Sequence, residues 1–140
     1  MKRCSTGSKL IDNILEGGLE NEVTTTIYGP SGSGKTNIAI LAALYNAKDS
    51  KIIFIDTEGG FSIDRVKQMF PEDHERRLKN LIIFKPTTFT EQTELFRNLE
   101  KFANEHEPSL IVVDSLSMLY RLELGEREAY EVNKEMARQL

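Results

Sequence analysis

Gly29-Pro30-Ser31-Gly32-Ser33-Gly34-Lys35-Thr36 decides how this chain is read. Its spacing is G-x-x-x-x-G-K-[ST], that of a loop that cradles phosphates with its own backbone. Just before it, Thr24-Thr25-Thr26-Ile27-Tyr28 is a β-branched and aromatic run that predicts a strand. Just after it, Asn37-Ile38-Ala39-Ile40-Leu41-Ala42-Ala43-Leu44 predicts a mostly buried helix. Strand, glycine-rich loop and helix are the context such a motif needs. A triphosphate requires several backbone N–H groups pointing inward together, and glycines give the loop the φ values this demands. The helix adds the positive end of its dipole. Lys35 supplies a compact point charge for the β- and γ-phosphates, and the Thr36 hydroxyl suits Mg²⁺. The phosphate-binding set is therefore Gly29 to Thr36, with Asn37 beside it. A surface Gly/Ser turn that matches by chance is the competing reading.

Composition limits the alternatives. The chain has 140 residues, enough for one domain with a core. A net charge of −4 gives no global attraction to nucleic acid or anionic membranes. Cys4 is the only cysteine, so no internal disulfide forms, which suits a reducing cytoplasm. Met1-Lys2-Arg3 is not followed by an apolar segment, so no signal peptide is expected. The longest apolar runs are strand-sized, so no membrane span is expected. His74 and His106 lie far apart in charged stretches, without neighbours at ligand spacing.

Outward from the loop, the pattern alternates. Ser8 to Leu15 predicts a helix stopped by Gly17-Gly18, and Lys51 to Thr57 a buried strand. Ser62 caps a short helix to Phe70, and Glu72 to Asn80 reads as a solvated loop or helical turn. Leu81 to Phe84 is a third strand. Thr88-Phe89-Thr90-Glu91 has capping-box spacing, and Leu95, Phe96, Leu99, Phe102 and Ala103 form one apolar helical stripe. Leu110 to Asp114 is a fourth strand, and Ala129, Val132, Met136 and Leu140 mark a last amphipathic helix. Alternating strands and helices predict an α/β, three-layer fold with a mostly parallel sheet and a site at the strands' carboxyl ends. Asp114 closes its strand in the Walker B manner, placed to hold Mg²⁺ or its waters, with the Ser115 hydroxyl beside it. Glu58 follows a strand end as well. It is placed either to orient an attacking water or simply to sit solvated in a Gly59-Gly60 turn.

Several stretches together resemble the RecA/RadA recombinases. Ser5 to Asp12 with Gly17-Gly18-Leu19-Glu20 resembles the start of their ATPase core. Ile55 to Ser62 with Arg65 resembles the segment carrying the catalytic glutamate in the archaeal and eukaryotic branch, and Leu110 to Ser115, continuing to Tyr120-Arg121, its Walker B region. The wording Gly59-Gly60-Phe61-Ser62 and the short N-terminus are nearest to a short archaeal paralogue. The resemblance covers nearly the whole chain. It implies a RecA-like core that binds ATP with Mg²⁺, hydrolyses it weakly, and serves recombination and repair with DNA, single-stranded by preference, and with a recombinase or other repair proteins. It implies Glu58 and Lys35 as catalytic, and Arg65 as stacking on adenine, with a solvent-facing helix residue as the competing reading of Arg65.

Three departures qualify it. The sequence opens directly at the stretch resembling the core entry, so no N-terminal DNA-binding domain is expected. The stretch matching the first DNA loop, Arg121-Leu122-Glu123-Leu124-Gly125-Glu126-Arg127-Glu128, has more acids than bases, which leaves Arg121 and Arg127 as its candidate phosphate contacts. Tyr120 either stacks on a base or packs in the core. In the family, a sensor strand follows the Walker B helix and inserts between the P-loop and Walker B strands. Leu140 precedes it here, so the core is expected to be incomplete, with unpaired edges and a tendency to distort or self-associate. A nucleotide-gated binding module without significant hydrolysis remains an alternative. So does a KaiC-like signalling ATPase, although that group places paired glutamates where this chain has Thr57-Glu58-Gly59.

Overall fold

A computed structural model of the chain describes residues 2–125 and 127–140. In chain order the elements are β1 (Arg3–Cys4), α1 (Lys9–Ile14), β2 (Leu19–Glu20), α2 (Lys35–Asn46), β3 (Ile52–Asp56), α3 (Ile63–Met69) and α4 (His74–Leu78). They continue with β4 (Leu81–Phe84), α5 (Phe89–Arg97), α6 (Leu99–His106), β5 (Leu110–Asp114), α7 (Met118–Glu123) and α8 (Ala129–Ala137).

The three apolar runs form a parallel sheet ordered β4-β3-β5. β3 is central and buried at every position, as expected for a strand covered on both faces. The register pairs Ile52 with Leu81 and Leu110, and Phe54 with Ile83 and Val112. Because side chains alternate, these residues share one face. They pack against Ile40, Ala43 and Leu44 of α2, Ala47 just past its end, and Val66 of α3. Phe61 closes that layer edge-on to Phe54, with ring centroids 5.3 Å apart. Phe84 points to the opposite face and stacks on Phe102 of α6 at 5.1 Å. A second cluster, Phe89, Leu119 and Val132, joins α5, α7 and α8. No helix among the described residues is long and apolar enough to cross a membrane.

Helix α2 is anchored at its C-terminal end. The last carbonyls of a helix have no intrahelical partner, and here other parts of the chain supply donors. Arg77 Nη1 donates to the carbonyls of Leu44 (2.8 Å) and Tyr45 (3.1 Å), and Ser50 Oγ donates to that of Asn46 (2.9 Å). Asn80 Nδ2 donates to the Ala47 carbonyl at 2.8 Å. Arg77 is buried, paired with Asp73 at 2.8 Å, and lies over the Phe70 ring. The amino-terminal lobe docks on the same helix, through Asn46 Nδ2 and the Ser5 carbonyl (2.8 Å). Within that lobe Asp12 accepts from Ser5 Oγ, the Thr6 amide and Thr6 Oγ1. Burial works against its charge, but these hydrogen bonds outweigh it and hold the carboxyl below the usual carboxylate range.

Three expectations are corrected, and one pairing went unread. Thr24 to Tyr28 belongs to no ladder among the described residues. Val23, Ile27 and Tyr28 are exposed. β-branched composition favours extended backbone, but a strand exists only with a partner, and β3 is the only described strand paired with β5. The apolar stripe from Leu95 to Ala103 is divided at Asn98, which ends α5 and begins α6. Asn98 Nδ2 donates to the Glu94 carbonyl at 2.9 Å, the local competition that disfavours asparagine inside helices. The stretch Arg121 to Glu128, matched to a DNA loop, begins inside a helix, because residues 121–123 belong to α7. The two-residue pairing of β1 with β2 carried no period for sequence reading to detect.

Arg77→Met keeps the apolar stem on Phe70 but leaves the Leu44 and Tyr45 carbonyls without their donor. The expected loss is about 2–3 kcal/mol, read as a lower urea midpoint at unchanged m-value.

Candidate nucleotide site

The loop from Gly29 to Gly34 turns into α2 with Gly34 as the residue before the helix, at φ 91°. Gly32 has φ 75°. A Cβ at either position would meet nothing within 4 Å, so the left-handed backbone, not crowding by the protein, requires glycine there. Gly34 offers no side-chain cap to α2. The first amides of that 12-residue helix therefore face the loop, the arrangement that suits an anion. Lys35 Nζ donates to the carbonyls of Gly29 and Pro30, both at 2.8 Å. It also lies 3.5 Å from Ser33 Oγ. Its ammonium thus sits over the mouth of the loop, where phosphate oxygens would compete for the same donors. Asn37 is exposed one turn into α2, and Ser31 is exposed in the loop.

The opposite wall comes from the ends of β3 and β5. Asp56 pairs with Asp114 in register, and the Thr57 amide extends the ladder by donating to the Asp114 carbonyl at 2.9 Å. Beyond that, the chains are clasped side chain to backbone. Thr57 Oγ1 donates to the Ser115 carbonyl at 2.6 Å and accepts from the Ser115 amide at 2.9 Å. The Asp114–Ser115 peptide is cis. Glu58 is exposed at the rim and accepts from Ser115 Oγ at 3.1 Å.

Asp56 organises the Glu58 turn, a role that sequence reading missed. It is 2 % exposed and accepts from the amides of Gly59 (2.8 Å), Gly60 (3.1 Å) and Phe61 (3.1 Å). An acid ahead of Gly-Gly at a strand end is the available signal, because Asp side chains often bond amides a few residues on. The turn brings Gly60 onto α2, the helix that follows the glycine-rich loop. A Cβ there would stand 3.1 Å from Thr36 Cγ2 and 3.9 Å from Asp114 Oδ2.

Thr36 and Asp114 therefore meet, and the donor set fits Mg²⁺. Asp114 is 8 % exposed, and its Oδ2 is buried with no hydrogen-bond partner among the described residues. A buried, unpaired carboxylate oxygen is costly unless something compensates it, and a hard dication with oxygen ligands does so. Burial pushes the Asp114 carboxyl up, against the Thr36 hydroxyl, which pulls it down. The charges of Glu58 and Asp56 push it further up, and Lys35 partly offsets them.

The remaining candidates are placed less close together. Arg65 is half-buried on α3, and its guanidinium makes no hydrogen bond or ion pair among the described residues. Arg121 is exposed and bonds Ser117 through Nε (3.3 Å) and Nη2 (3.2 Å). Arg127 pairs with three carboxylates, Glu123 (3.3 Å), Glu131 (3.6 Å) and Glu135 (3.3 Å). Hydrogen bonding to Glu135 above all, with Glu123, raises its already high pKa against some desolvation. Its charge is matched within the protein, which weakens it as a contact for a phosphate backbone. Glu126 of the same stretch lies outside the described residues. Tyr120 is packed, edge-on to Phe89 at 5.9 Å, with its hydroxyl donating to Asn133 Oδ1.

A profile of the Rad51 family matches residues 1–140. Among relatives, the DNA repair and recombination protein RadB of Methanobrevibacter smithii is 41% identical over 133 residues, 93% of this chain and 56% of the relative. RadB of Methanococcus maripaludis strain C7 is 41% identical over 134 residues, 94% of this chain and 61% of the relative. RadB of Methanocaldococcus jannaschii is 42% identical over 126 residues, 89% of this chain and 57% of the relative. The chain thus spans less than two thirds of the length of these relatives.

Asp114→Asn tests the electrostatics of the metal-free protein. A carboxyl raised on folding keeps a proton that the unfolded chain has released, so stability falls as pH climbs from about 4, its ordinary value, through the raised one. The variant loses that slope and melts no lower than the parent at pH 7. A clearly lower melting temperature at pH 7 contradicts the assignment.

Proposed function

The chain belongs to the Rad51 family, and on that premise we propose that it is an ATP-binding, weakly hydrolysing RecA-like protein of recombination and DNA repair. One observation carries the reading: the glycine-rich loop at the head of α2 faces the carboxylates at the ends of β3 and β5, with Thr36 beside the orphaned Asp114 oxygen. The loop amides and Lys35 hold the phosphates. Thr36 and Asp114 hold Mg²⁺, which supplies charge neutralisation across the phosphates when bound. Glu58 orients water from the opposite rim. Phosphoryl transfer asks little more of a protein than positioning and electrostatic stabilisation. Arg65 stacks on the base.

The partner is DNA or another repair protein. The self-contained pairing of Arg127 favours a second reading, in which bound nucleotide gates the docking of a recombinase and hydrolysis is incidental. ATP then acts only through its different affinity for two states of the protein.

A melt with and without MgATP, beside Lys35→Ala and Glu58→Gln, tests the site. At a hundredfold excess over Kd the parent gains about 2.7 kcal/mol. Lys35→Ala loses most of that gain. Glu58→Gln keeps it and loses turnover by about 100-fold or more. An equal gain in Lys35→Ala contradicts phosphate binding at the loop, and undiminished turnover in Glu58→Gln contradicts the role of Glu58.

A further inference from the structure

We propose that Ser115 is the positioning residue for Glu58: its hydroxyl, fixed by the clasp between the ends of β3 and β5, holds the Glu58 carboxylate in its working rotamer. The inference rests on the hydrolytic reading above and adds a residue to it.

Glu58 needs such help. It is exposed, on a long side chain, in a turn whose next residue, Gly59, has φ 71°. A glutamate in that setting samples several rotamers, and fixing one costs entropy. Asp56 fixes the backbone of the turn through the amides of Gly59, Gly60 and Phe61, not the Glu58 carboxylate. Among the described residues the Glu58 carboxylate accepts only from Ser115 Oγ, at 3.1 Å.

Ser115 is suited to the task because its own backbone is held on both sides. Buried Thr57 accepts from its amide and donates to its carbonyl. On the other side Gln92, fully buried on α5, donates from Nε2 to the Leu116 carbonyl at 3.0 Å. On so constrained a backbone only χ1 is left to place the hydroxyl oxygen. A donor placed in this way pre-organises its acceptor, where a mobile one would only share it. Thr57 and Gln92 thus support Ser115, and Ser115 supports Glu58.

Steady-state and single-turnover ATP hydrolysis by the full-length protein tests this. The variants are Ser115→Ala, Ser115→Thr, Glu58→Ala and the Ser115→Ala/Glu58→Ala pair. Ser115→Ala is expected to lower kcat about tenfold, the scale of one hydrogen bond to a charged group. KM, MgATP affinity and melting temperature stay unchanged. Ser115→Thr, which keeps the hydroxyl, restores most of the rate. In the Glu58→Ala background Ser115→Ala costs nothing further, because its effect passes through Glu58. The inference is overturned by parental turnover in Ser115→Ala, or by an undiminished loss in the Glu58→Ala background. A kcat loss that comes with weaker nucleotide binding and a lower melt, and that Ser115→Thr does not restore, overturns it as well by making the role structural. A parent protein that binds MgATP without turning it over removes the hydrolytic reading itself, an outcome distinct from a working parent matched by Ser115→Ala.

Discussion

The pairing of β3 with β5 is the constraint on which the site depends. Its register sets Asp56 opposite Asp114, and the Thr57 amide carries the ladder one residue further. Shifting a strand by one residue would turn every side chain to the other face. Here it would take Asp114 away from Thr36 and break the Thr57–Ser115 clasp. Two buried acids at neighbouring strand ends have opposite situations. Asp56 is satisfied by three amides and shapes a turn, whereas Asp114 keeps an oxygen, close to Thr36 of α2, that is unpartnered among the described residues. The first is structural and the second is open to a cation.

Helix α2 shows the same division between its two ends. At the C-terminal end, Arg77, Ser50 and Asn80 satisfy its terminal carbonyls and tie the helix to α4 and the neighbouring loops. At the N-terminal end no side chain among the described residues caps it, and its first amides face the glycine-rich loop. The helix is rigidly placed by the end that is satisfied and is chemically available at the other. Its apolar side, Ile40 and Leu44, anchors it to the face of the sheet carrying Phe54. The distance from the phosphate loop to the strand-end carboxylates is thereby set by core packing.

Much of this was legible in the sequence because it depends on local spacing or composition. The glycine-rich turn into α2, the three paired strands and the caps at Ser62 and Thr88 follow from a few adjacent residues each. Even there a detail differs: Glu91 reaches back to the Thr87 amide at 2.6 Å, one residue before the cap. What escaped reading depends on partners distant in sequence. Thr24 to Tyr28 has strand composition and no ladder. Arg127 has a phosphate-seeking charge and three carboxylates that answer it, two of them on α8. Arg77 sits in a stretch read as solvated, yet it is buried because the end of α2 needs its donors. Composition states what a residue can do, and tertiary neighbours decide which of those things it does.

The central claim is that the phosphate loop and the two strand ends form one nucleotide site. Amide hydrogen exchange with and without a non-hydrolysable MgATP analogue tests it directly. The account predicts that residues 29–37, the Glu58 to Phe61 turn and Asp114-Ser115 gain protection together, at the same ligand concentration. Protection confined to the loop, with the strand ends unmoved at saturation, would contradict it.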